Sequence, residues 1–109
     1  KNKRKYLLQN WHIPVEAAYE FIDNGDSVQF VNASCVLYFS LLKIEGNQLL
    51  SSEAFAKMQP SITHSQNGWE FRGARNGGNE ILVCVFTFAN EEDKVQLSNL
   101  FTSITYTGQ

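Results

Sequence analysis

The sequence predicts an α+β domain, a single antiparallel sheet with two or three helices packed on it, in the order (β)-α-β-β-α-β-β-α. Three observations carry that expectation. The runs "CVLYFSLLKI" and "ILVCVFTF" have the length and the β-branched and aromatic content of buried strands. Between "GWEFR" and the second run stands Asn76-Gly77-Gly78-Asn79, whose residues accept the positive φ angles of a tight hairpin. The segment "NEEDKVQLSNLF" opens on acids and then places Leu97, Leu100, Phe101 and Ile104 at helical spacing. Strands and helices that each own one apolar face pack as layers.

The bounds are consistent with one domain. A chain of 109 residues that is 43% apolar and 13% aromatic, with eight Phe, can build a core without metals or disulfides. Charged residues are only 18%, against about 25% in an ordinary domain, which excludes wholesale disorder. The longest uncharged apolar run, Val28 to Leu42, is interrupted by Asn32, Ser34 and Ser40. It is shorter than the ~20 apolar residues of a membrane-spanning helix.

Charge is uneven. Four of nine cations lie in "KNKRK", so from Tyr6 onward five cations face eleven anions, a balance of −6. An acidic body argues against a nucleic-acid-binding face. Residues 1–5 are expected to be a basic, disordered leader and residues 6–109 a single α+β domain. The chain begins with Lys and no signal-peptide core follows, so such a leader would flank a removed signal, a lipid anchor or a membrane helix. An extracytoplasmic location is favoured on that ground over a cytoplasmic one.

Taken in order, "IPVEAAYEFIDNG" sets Val15, Ala18, Tyr19 and Ile22 at helical spacing, with Pro14 suited to a first turn and Asn24-Gly25 to a stop. "SVQFV", "NAS" and "CVLYFSLLKI" read as strand, tight connection and strand, or as one bulged strand. Cys35, Leu37, Phe39 and Leu41 fall on one face of the second, and Val36, Tyr38, Leu42 and Ile44 on the other. With both faces apolar, it is central in the sheet or offers one face to a partner. "LLSSEAFAKMQP" reads as a short helix capped by Ser51 or Ser52 and ended by Pro60. Asn90 is the expected cap of the last helix, and Ile104 to Thr107 a short closing strand.

Residues that resemble chemistry have plainer explanations. Arg72 and Arg75 flank glycines, but a strand follows the loop, so no helix N-terminus points at it and the phosphate-binding reading gives way to a hairpin. Glu91, Glu92 and Asp93 splay around a helix axis and compensate its dipole instead of converging on a metal. Cys35 and Cys84 share no CxxC spacing and lie in apolar runs, either as two reduced core thiols or as one disulfide between strands. His12 and His64 lie in no recognised catalytic signature, and no Gly-x-Ser-x-Gly, His-Glu-x-x-His, phosphate loop or dinucleotide fingerprint occurs. The expectation is therefore no catalytic residues, no cofactor and no metal. Trp11, Tyr38, Leu42 and Trp69 are the residues expected to form a partner surface.

The C-terminal half resembles the PsbP-like family. The resemblance rests on "SSEAFAKM", "GWEFRG", "ILVCVFTF", "EEDKVQLSNLF" and "SITYTG", and covers about the last 60 residues. It implies an α/β/α sandwich, a non-enzymatic accessory role and an extracytoplasmic location, with no functional residue carried over. The N-terminal half departs from that pattern. The element order is also similar to that of small acidic secretion chaperones, which dimerise, although their long first helix is missing.

Three functions remain open at this level. The first is a non-catalytic binding or accessory domain, secreted or tethered beside a membrane. The second is a dimeric cytosolic chaperone or adaptor that pairs through the strand bearing Tyr38 and Leu42, and the third a small enzyme using Cys84 or His64. The partners expected are a protein or a second copy, not nucleic acid.

Overall fold

The computed structural model describes residues 3–8, 10–16, 19–25, 27–43, 59–77 and 80–107. In chain order the elements are β1 (Lys3–Leu8), β2 (Trp11–Glu16), β3 (Glu20–Asp23), β4 (Ser27–Val31) and β5 (Cys35–Lys43). They continue with β6 (Ser61–Ser65), β7 (Gly68–Asn76), β8 (Glu80–Phe88), α1 (Asp93–Ser103) and β9 (Thr105–Tyr106). Two antiparallel sheets result, a small one ordered β1-β2-β9 and a six-stranded one ordered β3-β4-β5-β8-β7-β6.

This overturns the α+β expectation of a single sheet carrying two or three helices. Among the described residues the chain is mostly strand, with two sheets and one helix. "IPVEAAYEFIDNG" is not helical: its ends belong to β2 and β3. The helical spacing of Val15, Ala18, Tyr19 and Ile22 competes with a period of two in Trp11, Ile13 and Val15. The second pattern wins because it puts those three side chains together in the core. Pro14 fits β2 for a related reason. Asn10 turns its carbonyl toward β9, where it accepts from Thr107 N, and backbone groups alternate in direction. Pro14 therefore turns the same way but lies beyond the end of β9, so its missing N–H breaks no ladder. Of the residues expected as a basic leader, Lys3, Arg4 and Lys5 are described, and they pair with Glu16, Val15 and Pro14 as part of β1. The helix expected over "LLSSEAFAKMQP" falls on residues 49–58, outside those described.

Other expectations match. Residues 32–34 connect β4 to β5 tightly, with Asn32 Oδ1 accepting from Ser34 N at 2.9 Å and Cys35 N at 2.7 Å. This is an Asx turn, which holds Asn32 without cost to the ladder. β5 is central between β4 and β8, as its two apolar faces require. β7 and β8 form the expected hairpin, closed by Gly77 N donating to the Glu80 carbonyl at 2.9 Å. The closing strand is β9, paired with β2 at Trp11 and His12.

The core lies on one face of the large sheet, beneath α1. Phenylalanines from five elements touch in series. Ring centroids are 5.9 Å apart for Phe30 and Phe39, 5.4 Å for Phe39 and Phe86, and 5.2 Å for both Phe86–Phe71 and Phe71–Phe101. The series thus crosses from β4 through β5, β8 and β7 into the helix, and each such pair adds about 0.5–1.5 kcal/mol beyond its burial. Trp11, Ile13 and Val15 join the same core from the small sheet. The hairpin tip seats it: a Cβ on Gly77 would stand 2.8 Å from Trp11 Cζ2 and 2.9 Å from the Tyr106 ring.

The helix is finished by a residue from a strand. Its last turn has no basic residue. Instead Arg75, at the end of β7, donates from Nη1 to the Phe101 carbonyl at 2.6 Å, with its guanidinium 5.5 Å from the Phe101 ring. A cation at a helix C-terminus opposes the dipole, and here it adds a charged donor to a carbonyl that otherwise accepts only the long 3.4 Å bond from Ile104 N. Arg75→Ala should lower unfolding stability by about 1–2 kcal/mol, measured by urea denaturation. Arg72→Ala is the comparison, because Arg72 is exposed and its ion pair with half-buried Glu70 is a surface one, so its loss should stay within about 0.5 kcal/mol. Equal losses would remove the capping role from Arg75.

Candidate functional site

A cleft of about 410 Å³ opens between α1 and the small sheet. Its inner walls are Pro14 and Val15 of β2, Tyr19, and Leu37 of β5; the helix contributes Leu97 and Leu100, with exposed Val95 at the rim. Along the helix, Glu92, Gln96, Asn99 and Ser103 also line it. Steps of four, three and four residues keep these on one helix face, a polar stripe about 16 Å long. Val15, Leu37 and Leu97 are at most 2% exposed and close the base of the cleft, half-buried Pro14, Tyr19 and Leu100 supply its accessible apolar surface, and one wall can hydrogen-bond. Leu97 and Phe101, four residues apart, are the buried positions of the helix, Phe101 against Phe71 of β7, and the polar stripe lies beside them.

The N-terminus of the helix differs from expectation. Asn90 does not cap it through its side chain. A backbone turn precedes Asp93 instead, with Asp93 N donating to the Asn90 carbonyl and Lys94 N to that of Glu91, both at 3.0 Å. Asp93 reaches inward, and its Oδ2 accepts from Cys35 Sγ at 3.6 Å. Ser34 Oγ lies 3.7 Å from the same sulfur, and the Tyr19 hydroxyl bonds it from the cleft side. This network fixes Tyr19, and with it the end of the cleft next to Glu92.

Burial pushes the Cys35 thiol up from its ordinary 9.0, opposed by the Ser34 hydroxyl and reinforced by the Asp93 charge. Burial raises Cys84 much further. Both cysteines are free and buried. Cys35 pairs with Phe88 and Cys84 with Phe39, a separation of four residues or about 13 Å along the sheet, too far for a disulfide. Native protein should resist iodoacetamide at pH 8 and react at both thiols only when unfolded. Because the folded values lie above 9.0, the native state keeps protons that the unfolded chain releases. Stability is therefore full below pH 9 and falls as pH rises past it. Rapid labelling of either native thiol would contradict the arrangement.

The four residues expected as a partner surface do not come together. Trp11 is 1% exposed and packs on Tyr106, with ring centroids 4.7 Å apart, so it is core. Trp69 is half-buried, stacked by His64 at 3.9 Å and approached by Lys94 Nζ at 4.7 Å, so its ring is already in use. Tyr38 and Leu42 do share a face, the one turned away from α1. There Leu42 is 57% exposed and Val36, Val83 and Val85 are half-buried. His64 lies exposed on edge strand β6, far in register from Cys84, and His12 lies in β2. Among the described residues no three of His, Cys, Asp and Glu gather as metal ligands. Trp11 Nε1 and Glu80 Oε2 are buried without a hydrogen-bond partner among the described residues, and neither residue lines the cleft.

Sequence reasoning missed the cleft altogether. Its walls come from β2, β5 and α1, and the one local sign was the spacing of Glu92, Gln96, Asn99 and Ser103, which reads equally well as a solvated helix face. No family model, no curated protein and no solved structure matches this chain.

Proposed function

We propose that the protein is a non-catalytic binding or accessory domain that holds its ligand in the cleft between α1 and β2. The observation that carries this is the cleft's volume and lining, about 410 Å³ with an accessible apolar surface and one hydrogen-bonding wall. Ligand sites are typically concavities of about 300–1,000 Å³ of this mixed kind. The PsbP-like resemblance also implies an accessory role and an extracytoplasmic setting, although the α/β/α sandwich it implies is not what forms: the described residues make two antiparallel sheets and one helix. A small enzyme built on Cys84 or His64 is the weaker reading, because Cys84 is fully buried with its thiol held protonated and His64 is spent on Trp69.

The test uses N-phenyl-1-naphthylamine, a neutral apolar fluorophore. Saturable fluorescence enhancement is expected for the wild-type protein, weakened at least tenfold by Val95→Asp, a change at a 68% exposed position that leaves the fold intact. No saturable signal, or the same signal in the variant, would sink the cleft as the binding site. A second reading, an adaptor that dimerises through the face bearing Tyr38 and Leu42, is favoured by the exposure of Leu42. Light scattering tests it: a dimer that Leu42→Lys converts to monomer supports the adaptor, and a wild-type monomer removes it.

A further inference from the structure

We infer that the ligand of this cleft is an extended peptide segment, apolar along its length and basic at the end that meets Glu92. The inference rests on the cleft being the binding site, as proposed above. Length comes first. The stripe from Glu92 to Ser103 runs about 16 Å, the span of roughly five residues of extended chain.

The chemistry of the wall narrows the class. Gln96 and Asn99 each donate and accept hydrogen bonds, and Ser103 does both through one hydroxyl. A peptide backbone offers one donor and one acceptor per residue and can satisfy them in turn. An alkyl chain would cover the same groups and satisfy none. The accessible apolar lining, half-buried Pro14, Tyr19 and Leu100 with exposed Val95, then receives the side chains on the inward face of the segment, which in extended chain are every second residue.

Charge sets the direction. Among the described residues Glu92 is the one charged residue in the lining, and Asp93 adjoins it. Among the described residues no cation lines the cleft, and the one on the helix, Lys94, is turned to the Trp69 ring and to Glu91 Oε2 at 3.4 Å. A carboxylate-headed amphiphile or an acidic peptide meets no counter-charge there, whereas a Lys or Arg side chain meets Glu92.

The experiment is capture on the immobilised protein of acetylated hexapeptides. Their four central positions are drawn from Val, Leu, Ile, Phe, Ser and Thr, and one end carries Lys, Gln or Glu. Wild-type protein should enrich Lys-ended over Glu-ended peptides about two- to fivefold, the worth of one exposed ion pair. Glu92→Gln should bring that ratio near one while still capturing peptides, and Glu92→Lys should reverse it. The best binder should also displace N-phenyl-1-naphthylamine. Capture without charge preference, or a preference unmoved by Glu92→Gln, overturns the assignment. If dodecanoate displaces the fluorophore and no peptide does, the occupant is a lipid chain and the inference fails while the cleft stands. If the fluorophore itself does not bind, the cleft fails too.

Discussion

Phe86→Ala should lower the midpoint of thermal unfolding by about 12–20 °C. Phe86 is fully buried in β8 and touches Phe39 on one side and Phe71 on the other. Removing its ring deletes two of the contacts that carry the aromatic series across the sheet, and leaves a cavity whose walls are strands locked by their ladders. Such truncations cost about 3–5 kcal/mol. In a domain of this size each kcal/mol moves the midpoint by about 4 °C. Against a total stability of about 5–15 kcal/mol such a loss leaves the variant little reserve, so Phe86→Leu serves as its companion. Leucine keeps most of the volume and loses only the ring geometry, and should cost about 1–1.5 kcal/mol. A midpoint shift below about 5 °C for Phe86→Ala, followed by circular dichroism, would show that the core collapses around the gap and that the series is not its organising feature.

The second large effect comes from one methyl group. Gly68 opens β7 at φ +122°, a conformation that residues with a Cβ rarely adopt. A Cβ there would also sit 2.8 Å from the Phe88 carbonyl oxygen. That oxygen belongs to the backbone of β8, which is paired on both sides and cannot withdraw as a side chain would. Backbone strain of this kind costs about 1–3 kcal/mol before the clash is added. Gly68→Ala should therefore destabilise by at least about 2 kcal/mol in urea, with the β6–β7 hairpin tip losing amide protection first. Gly25→Ala is the control, since Gly25 has φ +97° and nothing within 4 Å of an added Cβ. A loss in Gly68→Ala no greater than in Gly25→Ala would mean that the two strands part easily at this point.

What could be read from the sequence divides along the same physical lines. β5 and β8 were legible because they are long, apolar and β-branched, and the two faces of β5 were assigned correctly from alternation alone over Cys35 to Leu42, Ile44 lying outside the described residues. The β7–β8 hairpin was legible because Asn76-Gly77 announces a turn. The core stripe of α1 was legible at Leu97 and Phe101, which are buried, and at Ile104, buried just past the helix end. β2 was lost because Pro14 and Val15 satisfy a helical spacing and a strand spacing at once, and only the burial of Trp11, Ile13 and Val15 together decides. β3 and β6 were lost for a different reason. Glu20 to Asp23 are all exposed, and of Ser61 to Ser65 only Ile62 is not. Edge strands such as these are held by backbone pairing, which leaves no apolar signature. The cleft required knowing that β2 runs beside α1, a contact between residues some 80 positions apart that no local pattern encodes.

Arg75 gives the helix a dependence it would not otherwise have. The cation that completes its last turn sits 26 residues earlier in the chain and arrives only when β7 is in place. Eleven residues are too few to hold a helix in water by themselves, and this one brings no basic residue of its own to that end. A peptide of residues 93–103 is thus expected to be coil, and in the intact protein the helix should open only together with the β7–β8 hairpin. Their slowest-exchanging amides should report one shared opening event. The wall of the cleft is then as durable as the sheet beneath it, and a ligand meets a preformed surface.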